Sequence, residues 1–257
     1  MKRRDVQPIY SNTYQQMHRR YWVTRFLIIL AVTLLFFSVW LFWQHEKQVR
    51  LSRFPIHGVA LNQQAGFVDF QQLANQHVAF VYLKATTGAS YTDDQFQSGY
   101  DRAEGTRLKL GVDHFFSFST TPTAQLDHFK KAVGTRLGDL PIAVQVDFYG
   151  DYTAQVVSKR HLGRRLLVFL NKLRLTTGHP VIVWCSQKVW QAVKVRGLGA
   201  YGRWVTDSNP GQISRRIRFI EYNPDGKMTI NGQAQTVSLS VFNGTKVQWK
   251  QYLNRVN

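Results

Sequence analysis

Two polar residues close the most strand-like run of this 257-residue chain, Leu140-Pro141-Ile142-Ala143-Val144-Gln145-Val146-Asp147. Gln145 and Asp147 are two apart, so on an extended strand they share a face. A carboxyl group on the inward face near a strand's C-terminal end is what a (β/α) barrel offers for acid-base chemistry. The other reading is that both residues only hydrogen-bond inside the barrel. Asp113 adds a carboxylate on the run Lys109 to Phe116. If it turns inward, Asp113 and Asp147 are a pair able to divide proton donation and charge stabilisation; if it turns outward, it faces a helix or pairs with an arginine. The eight histidines show neither HExxH nor another paired metal spacing, and Cys185 is the only cysteine. No metal site and no cofactor is therefore expected, no phosphate-binding glycine loop is present, and no intrachain disulfide can form.

The elements that must position these residues follow from apolar patterning. Strand-like runs fall at 57–61, 78–83, 109–116, 142–147, 181–184, 203–206, 219–222 and 236–242, with helical spacing between them at 95–106, 123–137 and 156–177. Strands alternating with helices imply a parallel sheet. The expected fold class is α/β, an irregular (β/α) TIM-like barrel over residues 55–257, preceded by one N-terminal transmembrane helix. Asn223-Pro224-Asp225-Gly226 is a turn signal, so the last two strands are expected to form a hairpin.

Residues 26–43 form an uncharged apolar segment of 18 residues, about 27 Å as a helix, close to the thickness of a bilayer's hydrocarbon core. Tyr21, Trp22, Trp40 and Trp43 sit where interfacial aromatic belts belong, and no small-residue cleavage site follows. Residues 1–25 carry Lys2, Arg3, Arg4, Arg19, Arg20 and Arg25 against Asp5, a net +5 of the chain's +18. The positive-inside rule makes residues 1–25 a cytoplasmic basic tail, 44–54 a stalk, and the barrel an extracellular domain on a single-pass bacterial membrane protein. The remaining +13 then faces anionic wall polymers or lipid headgroups rather than nucleic acid.

From about His57 to Gly244 the chain resembles the family 25 glycoside hydrolases, muramidases that cut peptidoglycan glycan. Phe80-Val81-Tyr82-Leu83-Lys84-Ala85-Thr86-Thr87-Gly88 and Tyr91-Thr92-Asp93-Asp94-Gln95-Phe96 are similar to that family's IKATEG…Y.D..F signature. Leu110-Gly111-Val112-Asp113-His114-Phe115 is similar to its VGAYHF, with Asp113 where the family has tyrosine. The resemblance implies an acid in the first strand, a D.E pair in the fourth and another aspartate near the end; here these positions hold Ala60, Gln145 with Asp147, and Ser238. Asp147 alone keeps an acid, shorter by one methylene. The resemblance implies peptidoglycan glycan as partner. By residue type and strand position, Gln145, His114, Tyr82, Trp184, Trp204 and Tyr222 are candidate sugar contacts, each also able to serve only the core. Three functions stand: a glycan-binding barrel whose acids are largely replaced, an active muramidase using Asp147 with or without Asp113, and a scaffold for other wall proteins.

Overall fold

The computed structural model describes residues 11–207, 214 and 216–256, with the backbone alone described for 11–18 and 42–50. Lys2, Arg3, Arg4 and Asp5 of the basic tail lie outside the described residues. The chain divides into two units at Leu51.

The first unit is one helix, α1 (Ser11–Leu51). Its stretch Arg19–Leu41 is 23 residues long, is apolar enough to cross a membrane and has none of its apolar window buried. Phe26, Leu34, Leu35 and Phe36 are all exposed. At 1.5 Å per residue the stretch spans about 34 Å. Most of the segment expected as a stalk continues this helix, which ends only at Leu51.

The second unit is a barrel. In chain order its elements are β1 (His57–Leu61), α2 (Phe70–Asn75), β2 (Val78–Thr87), β3 (Tyr91–Thr92), α3 (Phe96–Ala103), β4 (Lys109–Phe115), α4 (Pro122–Val133), β5 (Ile142–Gln145), α5 (Ala154–Lys159), α6 (Gly163–Thr177), β6 (Val181–Ser186), α7 (Gln187–Val193), β7 (Gly202–Thr206), β8 (Ile217–Ile230), β9 (Gln233–Phe242) and α8 (Lys246–Val256). All eight expected strands are present. They are ordered β1-β9-β8-β7-β6-β5-β4-β2, and β1 pairs with β2 to close the ring. β9 runs antiparallel to both β8 and β1, while the remaining pairs around the ring are parallel.

Alternation along the strands builds two cores. Outward residues such as Val59, Val81, Val112, Val144 and Val183 pack with Phe129, Phe169 and Leu170 of α4 and α6. Inward residues Phe80, Tyr82, Trp184, Trp204, Phe219 and Phe242 fill the lumen, with Trp249 of α8 packed against them. Trp184 and Trp204 stack with ring centroids 4.0 Å apart and an interplanar angle of 7°. Room for these rings comes from glycine: a Cβ on Gly111 would lie 2.4 Å from the Tyr82 ring, and one on Gly58 would lie 2.3 Å from Phe80.

Three expectations are corrected. The long helix at 156–177 is two helices, because His161 takes φ 50° and α6 starts at Gly163, where a Cβ would meet the Val193 carbonyl oxygen at 2.0 Å. The final hairpin turns at Asn231-Gly232, both with positive φ (54° and 76°), as a two-residue turn of the twisted type requires. Asn223-Pro224-Asp225-Gly226 lies inside β8, where the ladder to β9 shifts register; proline there removes a ladder donor. Finally, β5 stops at Gln145 rather than reaching Asp147.

The Tyr82 ring cannot swing aside to accept a larger neighbour, since it is fully buried and its hydroxyl donates to the Pro141 carbonyl at 3.0 Å. Gly111→Ala is therefore expected to destabilise the barrel by about 1–3 kcal/mol through overpacking. Denaturant unfolding of the full-length variant beside the parent measures this, and an unchanged midpoint would contradict the tight fit.

Candidate functional site

Above the aromatic filling, polar side chains gather at the C-terminal ends of the parallel strands, with the buried Ser240 of β9 one step further down the lumen. They line a cleft of about 210 Å³ bounded by Ala60, Asn62, Lys84, Asp113, Gln145, Trp184, Glu221, Asp225 and Ser238, among others. Each of the inward members comes from a different strand: Ala60 from β1, Lys84 from β2, Asp113 from β4, Gln145 from β5, Trp184 from β6, Glu221 from β8 and Ser238 from β9.

Glu221 is buried and held on both oxygens. Its Oε2 accepts from Trp184 Nε1 at 3.1 Å and from Thr206 Oγ1 at 2.5 Å, and its Oε1 accepts from Ser238 Oγ at 2.6 Å. Three donors and no acceptor surround it, the setting that suits a carboxylate. Asp113 is 2% exposed and lies in register with Lys84 on the adjacent strand. Burial pushes the Asp113 carboxyl up to about 7; the Lys84 charge opposes this, while those of Asp93 and Glu221 add to it. Removing a carboxylate from water without donors to replace the lost hydration favours its neutral form.

The structure separates the candidates named from sequence. Asp113, Gln145 and Trp184 line the cleft, as do Ala60 and Ser238, two of the positions where the resemblance implies an acid. Asp147 does not line it. Past the end of β5 the chain turns, Asp147 is exposed and its Oδ1 accepts from the Phe148 amide at 2.7 Å. His114 faces the opposite way from Asp113: its Nδ1 pairs with Thr86 Oγ1 at 2.8 Å and its Nε2 with Gln125 Oε1 at 3.2 Å, and its ring lies 4.8 Å from that of Phe169. Burial there pushes the imidazole down to about 3. Tyr82 and Trp204 sit below the cleft with no exposed surface, and Tyr222 occupies the face of β8 opposite to Glu221. Cys185 likewise points outward into the helix layer, where burial pushes its thiol up to about 12 and leaves it a poor nucleophile.

Glu221 was not singled out from sequence. The run Phe219-Ile220-Glu221-Tyr222 had the signal, because Phe219 and Glu221 alternate onto one face and a charged residue within an apolar strand needs a reason to be buried. Among the described residues no cluster of three or more His, Cys, Asp or Glu is placed to hold a metal ion.

An eight-stranded barrel with buried acids gathered at its C-terminal mouth is the architecture of a barrel glycoside hydrolase. The sequence model of Glycosyl hydrolases family 25 matches residues 60–222, and the chain belongs to that family. It is 24% identical over 212 residues to the uncharacterized protein YegX of Escherichia coli (strain K12), a match covering 79% of this chain and 75% of that one. Over 90 residues it is 32% identical to the autolytic lysozyme of Clostridium acetobutylicum, covering 35% of this chain and 28% of that one. The fold is shared with the solved lysozyme of Streptomyces coelicolor at a TM-score of 0.67 and 20% identity, covering 79% of this chain and 98% of that structure.

The raised Asp113 carboxyl has a consequence for stability. The unfolded chain releases this proton near 3.8 and the folded chain at about 7. Between those values the unfolded state binds fewer protons, so the contribution of Asp113 becomes less favourable to folding as pH rises. Asp113→Asn is expected to be nearly neutral at about pH 4 and to stabilise the protein by up to roughly 4 kcal/mol at about pH 8, since each tenfold change in proton affinity is worth about 1.36 kcal/mol. Unfolding of parent and variant at both pH values checks this; an equal difference at both would contradict it.

Proposed function

We propose that this is a membrane-anchored, extracytoplasmic protein whose barrel mouth engages the glycan strands of peptidoglycan, the family's acids having been largely replaced. The observation that carries the reading is the composition of the cleft. Trp184 supplies an apolar edge, and Gln145, Ser238 and Asn62 supply neutral hydrogen-bonding groups around it. Neutral amides and hydroxyls beside an aromatic ring suit an N-acetylated sugar, which presents both hydroxyls and amides. The lysozymes among its relatives direct the choice of glycan to the bacterial wall.

The anchor is α1. An apolar stretch of 23 residues with exposed side chains suits a bilayer, and Arg19, Arg20 and Arg25 at its N-terminal end favour a cytoplasmic N-terminus. The excess positive charge beyond residue 25 supports an added ionic attraction to anionic wall polymers or lipid headgroups.

Two measurements test the reading. External protease on intact cells is expected to remove the barrel; protection until lysis would overturn the orientation. Full-length protein in detergent is expected to sediment with purified peptidoglycan stripped of anionic polymers at both low and high salt, and to gain a salt-sensitive component on unstripped walls. Gln145→Ala is expected to weaken sedimentation with stripped glycan about fivefold, the equivalent of one hydrogen bond of about 1 kcal/mol. Failure of the parent protein to sediment with stripped glycan would overturn sugar recognition in the mouth.

A further inference from the structure

We propose that Asp113 and Glu221 form a relocated acid pair across the barrel mouth, with Asp113 donating a proton to the glycosidic oxygen and Glu221 facing the charge that develops on the sugar. This rests on the glycan reading above and deepens it by assigning a reaction to the same cleft.

Placement is the first support. In the ring order, β4 and β8 are four strands apart in either direction, so the two acids face each other across the barrel. Both line the one cleft, both are buried, and the positions between them on the ring contribute neutral Gln145 and Trp184 on one side, and Ser238, Ala60 and the cation Lys84 on the other. A sugar seated over Trp184 would therefore have one acid on each side.

The difference between the two environments is the second support. Glu221 accepts from Trp184, Thr206 and Ser238, so it is fixed in position and does not need to move as charge develops, the preorganisation that makes electrostatic stabilisation effective. Asp113 receives no comparable set of donors; the groups acting on it are Lys84, Asp93 and Glu221, with the Tyr82 hydroxyl below. One carboxyl is buried without such donors and the other is ringed by three of them, and this contrast of environments is what separates the roles of proton donor and charge stabiliser in glycoside hydrolysis. Burying two acids above an aromatic lumen is costly to folding, and only Glu221 has a full set of donors to offset that cost.

The step balances without any co-reactant except water. As the bond from the anomeric carbon to the leaving oxygen breaks, its electron pair goes to that oxygen, which takes the Asp113 proton. The Glu221 carboxylate stabilises the oxocarbenium-like carbon. Water then adds its oxygen to that carbon and returns a proton to Asp113, restoring both acids.

The test measures reducing ends released from purified peptidoglycan, alongside sedimentation, with the full-length protein in detergent between about pH 4 and 8. Turnover is expected at acid pH and is expected to fall about tenfold per pH unit above the Asp113 value of about 7. Asp113→Asn and Glu221→Gln are each expected to lower turnover by about a hundredfold or more while sedimentation is kept, and Asp113→Glu to recover part of it. The pH profile and the retained binding distinguish lost chemistry from a lost fold. Sedimentation without turnover by the parent at any pH would overturn the acid pair and leave the glycan reading intact; no sedimentation would overturn both. Retention of turnover in Asp113→Asn together with its loss in Asp147→Asn would overturn the pair and return the acid to the β5 loop.

Discussion

Everything at the mouth depends on how the lumen below it is filled. Phe80, Tyr82, Trp184, Trp204 and Phe219 occupy most of the barrel interior, and the charged inward groups Lys84, Asp113 and Glu221 sit in the layer above them. The Trp184–Trp204 stack then does two things at once. It closes the floor of the cleft, and it presents the one indole N–H that reaches Glu221. A smaller residue at 184 would both open a void and release a donor from a buried carboxylate, two losses that compound.

Burial also sets the charge states. Asp113 and His114 are neighbours on β4 but face opposite sides of the barrel wall, one into the cleft and the other into the helix layer. The same desolvation drives both towards neutrality, upward for the acid and downward for the imidazole. Their effects on stability oppose each other: lowering the pH towards 4 relieves Asp113, whereas the unfolded chain gains a proton on His114 that the folded chain refuses. The histidine is therefore a structural bridge between Thr86 and Gln125, next in sequence to a group with a different role.

The fold was legible because its signals are local. Eight β-branched or aromatic runs separated by helical spacing define the barrel, and β1 has the very bounds that its run indicates, His57–Leu61. The site was less legible because it depends on where strands end. Asp147 would share a face with Gln145 only if β5 continued, but the ladder stops and the side chain turns to solvent beside Phe148. Glu221 was hidden for a complementary reason: its partners Trp184, Thr206 and Ser238 come from three other strands, and nothing in the order of residues shows that they converge. The hairpin turn was assigned to Asn223-Pro224-Asp225-Gly226 because proline and glycine there are a strong local signal, which tertiary pairing overrides with a register shift, while the Asn231-Gly232 dipeptide that makes the turn went unused.

One buried carboxyl in the mouth, that of Asp113, holds a proton near neutrality. Infrared difference spectra of the full-length protein against Asp113→Asn, followed through a pH titration, observe that proton directly as a carbonyl stretch of a neutral carboxylic acid. The expected band belongs to Asp113, persists well above the ordinary carboxylate range and disappears around the value of about 7 set by its burial. A band that vanishes near the ordinary aspartate value of about 3.9, or one unaffected by the Asp113→Asn substitution, would contradict it.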